Sequence, residues 1–150
     1  MITDIFELRP RYGEVDQMGY VYHANYVTYC HQARNELLRK LDIDEIQLKK
    51  NKIILPVISF EIIYKKPALY DELITIKTTI KEVPKVRLNF EFEIKNEQNT
   101  LLCKAKSTVV FVDSESRLPK QTPTFIEKVF NTKFISAHKQ NPKTIKIQLG

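Results

Sequence analysis

The chain has 150 residues, 43% of them apolar and 28% charged, which fits one globular domain able to bury roughly 68–70% of its unfolded surface and excludes a disordered or low-complexity chain. The net charge of +6 does not mark a nucleic-acid-binding face: Lys133, Lys139, Lys143 and Lys146 stand without an acid between Asn131 and Gly150, which leaves the rest at +2. The start lacks a signal-peptide pattern, no apolar run reaches the roughly 18 residues of a membrane helix, and Cys30 and Cys103 lack metal or disulfide-framework spacing. The expectations are therefore a cytoplasmic protein with no nucleic-acid partner, no stable membrane insertion and two reduced, buried cysteines.

The first segment, Ile5 to Tyr12, alternates Phe6 and Leu8 with charged neighbours and stops at Pro10-Arg11-Tyr12-Gly13, as a short strand entering a turn does. Tyr26, Cys30, Ala33, Leu37 and Leu41 then recur at helical intervals with Leu38 alongside, which predicts one long amphipathic helix beginning near Asn25, with Asn25 as its N-cap. A polar linker with a short helix from Asp44 to Lys50 follows. Four segments with the two-residue period of strands come next: Ile53 to Tyr64, Leu73 to Val83, Val86 to Ile94 and Leu101 to Val112. In the third, Val86, Leu88, Phe90, Phe92 and Ile94 share one face and charged or polar residues the other, so one face of the sheet is buried.

Pro119 and Pro123 bracket a loop that opens a short helix through Phe130. The basic extension beyond it ends in Thr144 to Leu149, where Ile145, Ile147 and Leu149 alternate as a candidate extra edge strand. The expected organisation is one domain over residues 1–130 and an extension over 131–150. Its class is α+β, a five-stranded antiparallel sheet wrapped around one long central helix, because sequential strands without intervening helices do not make a parallel doubly wound sheet.

Chemistry concentrates in Tyr12-Gly13-Glu14-Val15-Asp16-Gln17-Met18-Gly19-Tyr20-Val21-Tyr22-His23-Ala24-Asn25-Tyr26, where a carboxylate, a glycine, a histidine and a helix start fall close together. This stretch resembles the signature of the hotdog-fold acyl-CoA thioesterases, in the 4-hydroxybenzoyl-CoA thioesterase and YbgC-like branch, at Asp16, Gly19, His23, Asn25 and Tyr26. The likeness continues through Ile63-Tyr64-Lys65-Lys66-Pro67-Ala68-Leu69-Tyr70-Asp71-Glu72-Leu73 and on to about Pro123. It implies hydrolysis of an acyl-CoA or acyl-carrier-protein thioester, with Asp16 as nucleophile or general base at the Gly19 turn. The backbone amide of His23 would polarise the thioester carbonyl, with Tyr22 and Asn25 beside the substrate. It also implies a homodimer or homotetramer with active sites at subunit boundaries. No metal or organic cofactor is expected, since coenzyme A enters as part of the substrate.

Elementary chemistry agrees with that implication. Thioester hydrolysis needs an activated oxygen nucleophile and stabilisation of the carbonyl oxyanion, whereas the thiolate, with a pKa of roughly 8.5, departs readily. Unpaired amides at a helix N-terminus supply the oxyanion site without a charged side chain.

Other readings stand beside these. Asp16 could serve only as an Asx-turn residue before Gly19, and Glu14 reads as a solvated or structural charge. The His23 ring could orient substrate, water or Asp16, or hydrogen-bond across an interface. His31, where relatives of the family carry an acid, reads as a core or interface histidine. Candidate contacts for coenzyme A phosphates are Lys65, Lys66, Lys85, Arg87, Arg117 and Lys120, with Lys85 and Arg87 favoured because relatives are basic there. The aromatics Tyr26, Tyr29, Phe60, Phe90 and Phe92 read as core. The rival functions are a non-catalytic acyl-CoA or acyl-carrier-protein binding module on the same fold, a hydratase of the same superfamily, for which no motif is visible, and a surface-binding role for the basic tail.

Overall fold

In the computed structural model, which describes residues 1–140, the chain runs β1 (Ile2–Leu8), α1 (Asn25–Lys40), α2 (Glu45–Lys50), β2 (Ile53–Ile54), β3 (Val57–Tyr64), β4 (Ile74–Ile80), β5 (Arg87–Lys95), β6 (Leu101–Val110), β7 (Val112–Asp113) and α3 (Thr124–Gln140). Five strands form one sheet in the order β1-β4-β5-β6-β3, every pair antiparallel, and β2 pairs with β7 in a small second ladder. The segment expected as one strand from Ile53 to Tyr64 is split at Pro56, which has no N–H to donate to a ladder.

α1 forms because its apolar side chains return to one stripe: Tyr26, Tyr29, Cys30, Ala33, Leu37 and Leu38 are buried. The sheet meets it with Ile74, Ile76 and Ile80 of β4 and Leu88, Phe90, Phe92 and Ile94 of β5, all buried in alternation with exposed or half-buried neighbours. Large and small residues face each other across the β5–β6 ladder, where Phe90 pairs with Ser107, Phe92 with Ala105 and Ile94 with Cys103. The small side chains of β6 give the rings of β5 the volume they fill, and Phe60 of β3 stacks on Phe92 at 6.5 Å. Tyr26, Tyr29, Phe90 and Phe92 are thus core, as expected, while Phe60 is half-buried at the edge.

Cys30 and Cys103 are free and buried, and burial pushes both thiols well up, Cys103 to about 12. They are packing residues rather than nucleophiles at neutral pH. α3 does not stop at Phe130 but continues to Gln140, because Ile126, Phe130 and Phe134 extend one buried stripe and the helix packs on β1. The strand expected at Ile145, Ile147 and Leu149 lies outside the described residues.

Phe90 is 1% exposed in the centre of the sheet's buried face. Truncation in Phe90→Ala is expected to cost about 3–5 kcal/mol, measured by urea unfolding, through lost transfer energy and the cavity left behind.

Candidate active site

Between the bridge partners Val15 and Val21 the chain turns back on itself. The Asp16 amide donates to the Tyr20 carbonyl at 2.8 Å, and Asp16 Oδ1 accepts from the amides of Met18 at 2.9 Å and Tyr20 at 3.1 Å. One carboxylate oxygen therefore makes the Asx turn. The other, Oδ2, has no hydrogen-bond partner among the described residues. Gly19 closes the turn at φ +80°, where an L side chain is strained, and donates to the Asp16 carbonyl at 3.0 Å. The loop lies against residues 68–70: Val21 donates to the Ala68 carbonyl at 2.9 Å, Tyr70 to the Gly19 carbonyl at 3.2 Å, and Tyr20 bridges Leu69.

Glu14 fixes this loop to α1. Its backbone carbonyl accepts from Tyr22 N at 2.9 Å and from Asn25 Nδ2 at 2.8 Å, and its carboxylate accepts from Arg11 N at 2.7 Å and from the Tyr29 hydroxyl at 3.1 Å. Burial, and then this bond to Glu14, raise the Tyr29 hydroxyl far above its ordinary pKa. Glu14 is therefore structural. Asn25 is the first residue of α1 and not its N-cap: the capping position is Ala24, which offers no side-chain acceptor, because the Asn25 amide is turned back to Glu14.

The consequence is a helix start with open donors. The amides of His23 and Ala24 donate to no acceptor among the described residues, and no acid stands in the first turn of α1. The His23 carbonyl accepts from the Tyr64 hydroxyl at 2.9 Å, so the end of β3 holds this peptide in place. The His23 ring is exposed, 4.5 Å from the ring of Tyr22 and 6.3 Å from that of Tyr64, and makes no hydrogen bond to Asp16. Tyr22 is 53% exposed and free to meet a ligand, whereas the Asn25 side chain is already engaged. His31 is exposed, with Nε2 3.2 Å from Asn35 Nδ2, and is not a core residue.

The fold distributes the candidate cations between the two ends of the sheet. Asp16 lies at the end of the sheet where β1 and β3 finish and β4 begins, and Lys65 and Lys66 are at that end, their amides donating to the Leu102 carbonyl. Lys85 and Arg87 stand where β5 begins, and Arg117 and Lys120 follow β7 near the same edge. β5 alone spans about 27 Å, so within one chain Lys85 and Arg87 are at the wrong end to share a ligand with Asp16. Tyr64 belongs to the stretch that carries the resemblance but is not among the expected site residues; a tyrosine closing a strand just before Lys65-Lys66-Pro67 acquires meaning only once folding brings it to His23.

One long helix wrapped by a five-stranded antiparallel sheet, with a carboxylate loop leading to the helix N-terminus, is the architecture of the hotdog-fold thioesterase-like proteins. The chain belongs to the Thioesterase-like superfamily, whose family model matches residues 10–130. It is similar to the acyl-CoA thioester hydrolase YbgC of Escherichia coli O157:H7, at 33% identity over 132 residues covering 87% of this chain and 98% of that protein. YneP of Bacillus subtilis is 36% identical over 115 residues, covering 77% of this chain and 83% of the relative. Among solved structures, a DHNA-CoA thioesterase from Staphylococcus aureus superposes with a TM-score of 0.83 at 27% identity, covering 95% of this chain and 96% of that one.

A Cβ added at Gly19 would meet nothing within 4 Å, so Gly19→Ala isolates the backbone term. The expected loss is about 1–2 kcal/mol in urea unfolding, the cost of holding an L-residue in the left-handed region.

Proposed function

We propose that this protein hydrolyses acyl-CoA or acyl-carrier-protein thioesters, with Asp16 as nucleophile or general base and the His23 amide as oxyanion donor. The observation that carries the reading is the pairing of a carboxylate that keeps one oxygen free with an uncapped helix start a few residues on. Membership of the Thioesterase-like superfamily supports the reaction class. With the thioester carbonyl oxygen on the His23 N–H, negative charge developing there is stabilised by the amide and by the positive end of α1. In the general-base form, Asp16 Oδ2 takes a proton from water as the water oxygen bonds to the carbonyl carbon. The tetrahedral oxyanion then collapses, the C–S bond breaks, and the thiolate leaves and is protonated. In the nucleophilic form the same oxygen attacks the carbonyl carbon, the C–S bond breaks and the thiolate leaves and is protonated, and water then hydrolyses the mixed anhydride to release the acid and restore the Asp16 carboxylate.

Asp16→Asn tests the assignment cleanly, because the asparagine oxygen can accept the same two amides that Oδ1 accepts and so preserves the turn. Turnover of the best acyl-CoA is expected to fall 10²–10⁴-fold with the melting temperature unchanged and substrate binding retained. Retention of more than about a tenth of the wild-type turnover would overturn it.

The reading extends to a homodimer or homotetramer whose sites are completed by a second subunit. Two observations support it. Asp16 lines neither the pocket between α1, α2 and β2 nor the one over the outer face of β4, β5 and β6. The edge strand β3 exposes Val57, Ile58, Ile63 and Tyr64, an apolar edge of the kind that pairs with another strand. Antiparallel pairing of two β3 strands about a two-fold axis would set the start of β5 of one subunit on the side of the other's Asp16 loop. Lys85 and Arg87 of the partner subunit, with Lys65 and Lys66 of the same chain, would then reach the coenzyme A phosphates. Light scattering at micromolar concentration is expected to report a dimer or tetramer, and a monomer there would defeat this arrangement.

A further inference from the structure

A cavity of about 770 Å³ lies between the C-terminal half of α1, α2 and β2, within the range of small-molecule sites. Its walls include Leu38, Ile43, Leu48, Ile53 and Leu55, and Arg34 lines it from α1. Arg34 is 9% exposed, and its Nε is buried with no acceptor. Its Nη2 reaches only Asn35 Oδ1 at 3.4 Å, too long for a good bond. The residues three and four positions away on the helix are Cys30, His31, Leu37 and Leu38, none of them a carboxylate. Of the acids lining the cavity, Asp44 caps α2 by accepting from Gln47 N, and Glu45 makes no ion pair among the described residues. Glu45 acts on this guanidinium only at a distance, without an ion pair, so a charged fork that keeps one buried donor without an acceptor stands available to an anionic ligand.

We propose that this cavity binds a medium-chain aliphatic carboxylate, its head accepting hydrogen bonds from the Arg34 guanidinium and its chain lying along the apolar walls. A planar, permanently charged donor fork suits a carboxylate. A wall of leucine and isoleucine suits a hydrocarbon chain. The site is distinct from the Asp16 loop: that loop precedes the N-terminus of α1, whereas Arg34 and Leu38 belong to the C-terminal half of a helix about 24 Å long. The ligand class is that of a free acid released from an acyl thioester, which makes the cavity a place where such an acid could bind away from the reaction. The inference does not rest on the thioesterase reading.

Calorimetric titration with decanoate, with decanol as the uncharged chain and acetate as the bare head group, tests it. Decanoate is expected to bind one per chain to the wild-type protein and equally to Asp16→Asn, with decanol and acetate each at least tenfold weaker. Arg34→Met should weaken decanoate at least tenfold and leave decanol unchanged. Leu55→Trp, which enlarges a wall side chain and retains Arg34, should abolish decanoate binding and serves alone if Arg34→Met does not fold. No binding of decanoate to the wild type, equal binding of decanol, or indifference to either substitution would overturn the inference. Because no thioester is present, a chain that binds decanoate through Arg34 but hydrolyses no acyl-CoA would uphold this site and defeat the catalytic reading.

Discussion

Glu14 accepts four hydrogen bonds, and they join the loop that carries Asp16 to the start of α1 and to the core. Its carbonyl holds Tyr22 and Asn25, which sets where α1 begins, and its carboxylate holds the turn at Arg11 and the hydroxyl of the buried Tyr29. Tyr29 is 1% exposed, so the bond ties a surface loop to the core. A loop anchored this way loses little further freedom when it binds a ligand, which is the condition for preorganised electrostatic stabilisation. Asn25 is part of the same arrangement: its side chain turns back to Glu14, the capping position falls on Ala24, and the amides of His23 and Ala24 just before the helix stay open.

The sheet supplies the second constraint. Small residues on β6 facing large ones on β5 allow one layer of rings to fill the space under α1, and the stripe of α1 closes over it. That packing consumes the buried face of the sheet and leaves β3 as an apolar edge, exposed on both sides. A chain that is complete in its core is therefore incomplete at its edge. The proposed assembly answers this edge and the separation of Lys85 and Arg87 from Asp16 with a single two-fold operation.

Periodicity made the core legible. The alternation of Leu88, Phe90, Phe92 and Ile94 and the helical spacing of Tyr26, Cys30, Ala33 and Leu37 predict the burial found. The carboxylate loop was legible too, because Asp16 and Gly19 interact across three residues. Long-range pairings were not: Tyr64 meets His23 across 41 positions, and Tyr29 meets Glu14 across 15. The role of Asn25 was misread because a helix-start asparagine satisfies the local capping rule, and only the tertiary bond to Glu14 overrides it. The end of α3 was misplaced at Phe130 because Phe134 continues its stripe only where β1 offers a surface to cover.

In the proposed reaction the structural role of Asp16 and its chemical role need not compete. A carboxylate has two oxygens, and the Asx turn occupies only Oδ1. Binding Oδ1 to two amides restricts rotation about the Cβ–Cγ bond, so Oδ2 is held in a defined direction instead of sampling solvent. An attacking or proton-accepting oxygen gains from that restriction, because orientation fixed before reaction need not be imposed in the transition state. In the proposed reaction the leaving thiolate needs no strong proton donor and the oxyanion would be met by the open His23 amide, so one oriented oxygen is the remaining requirement. A turn that engages one oxygen with the backbone and orients the other is thus compatible with the proposed cleavage of an acyl thioester.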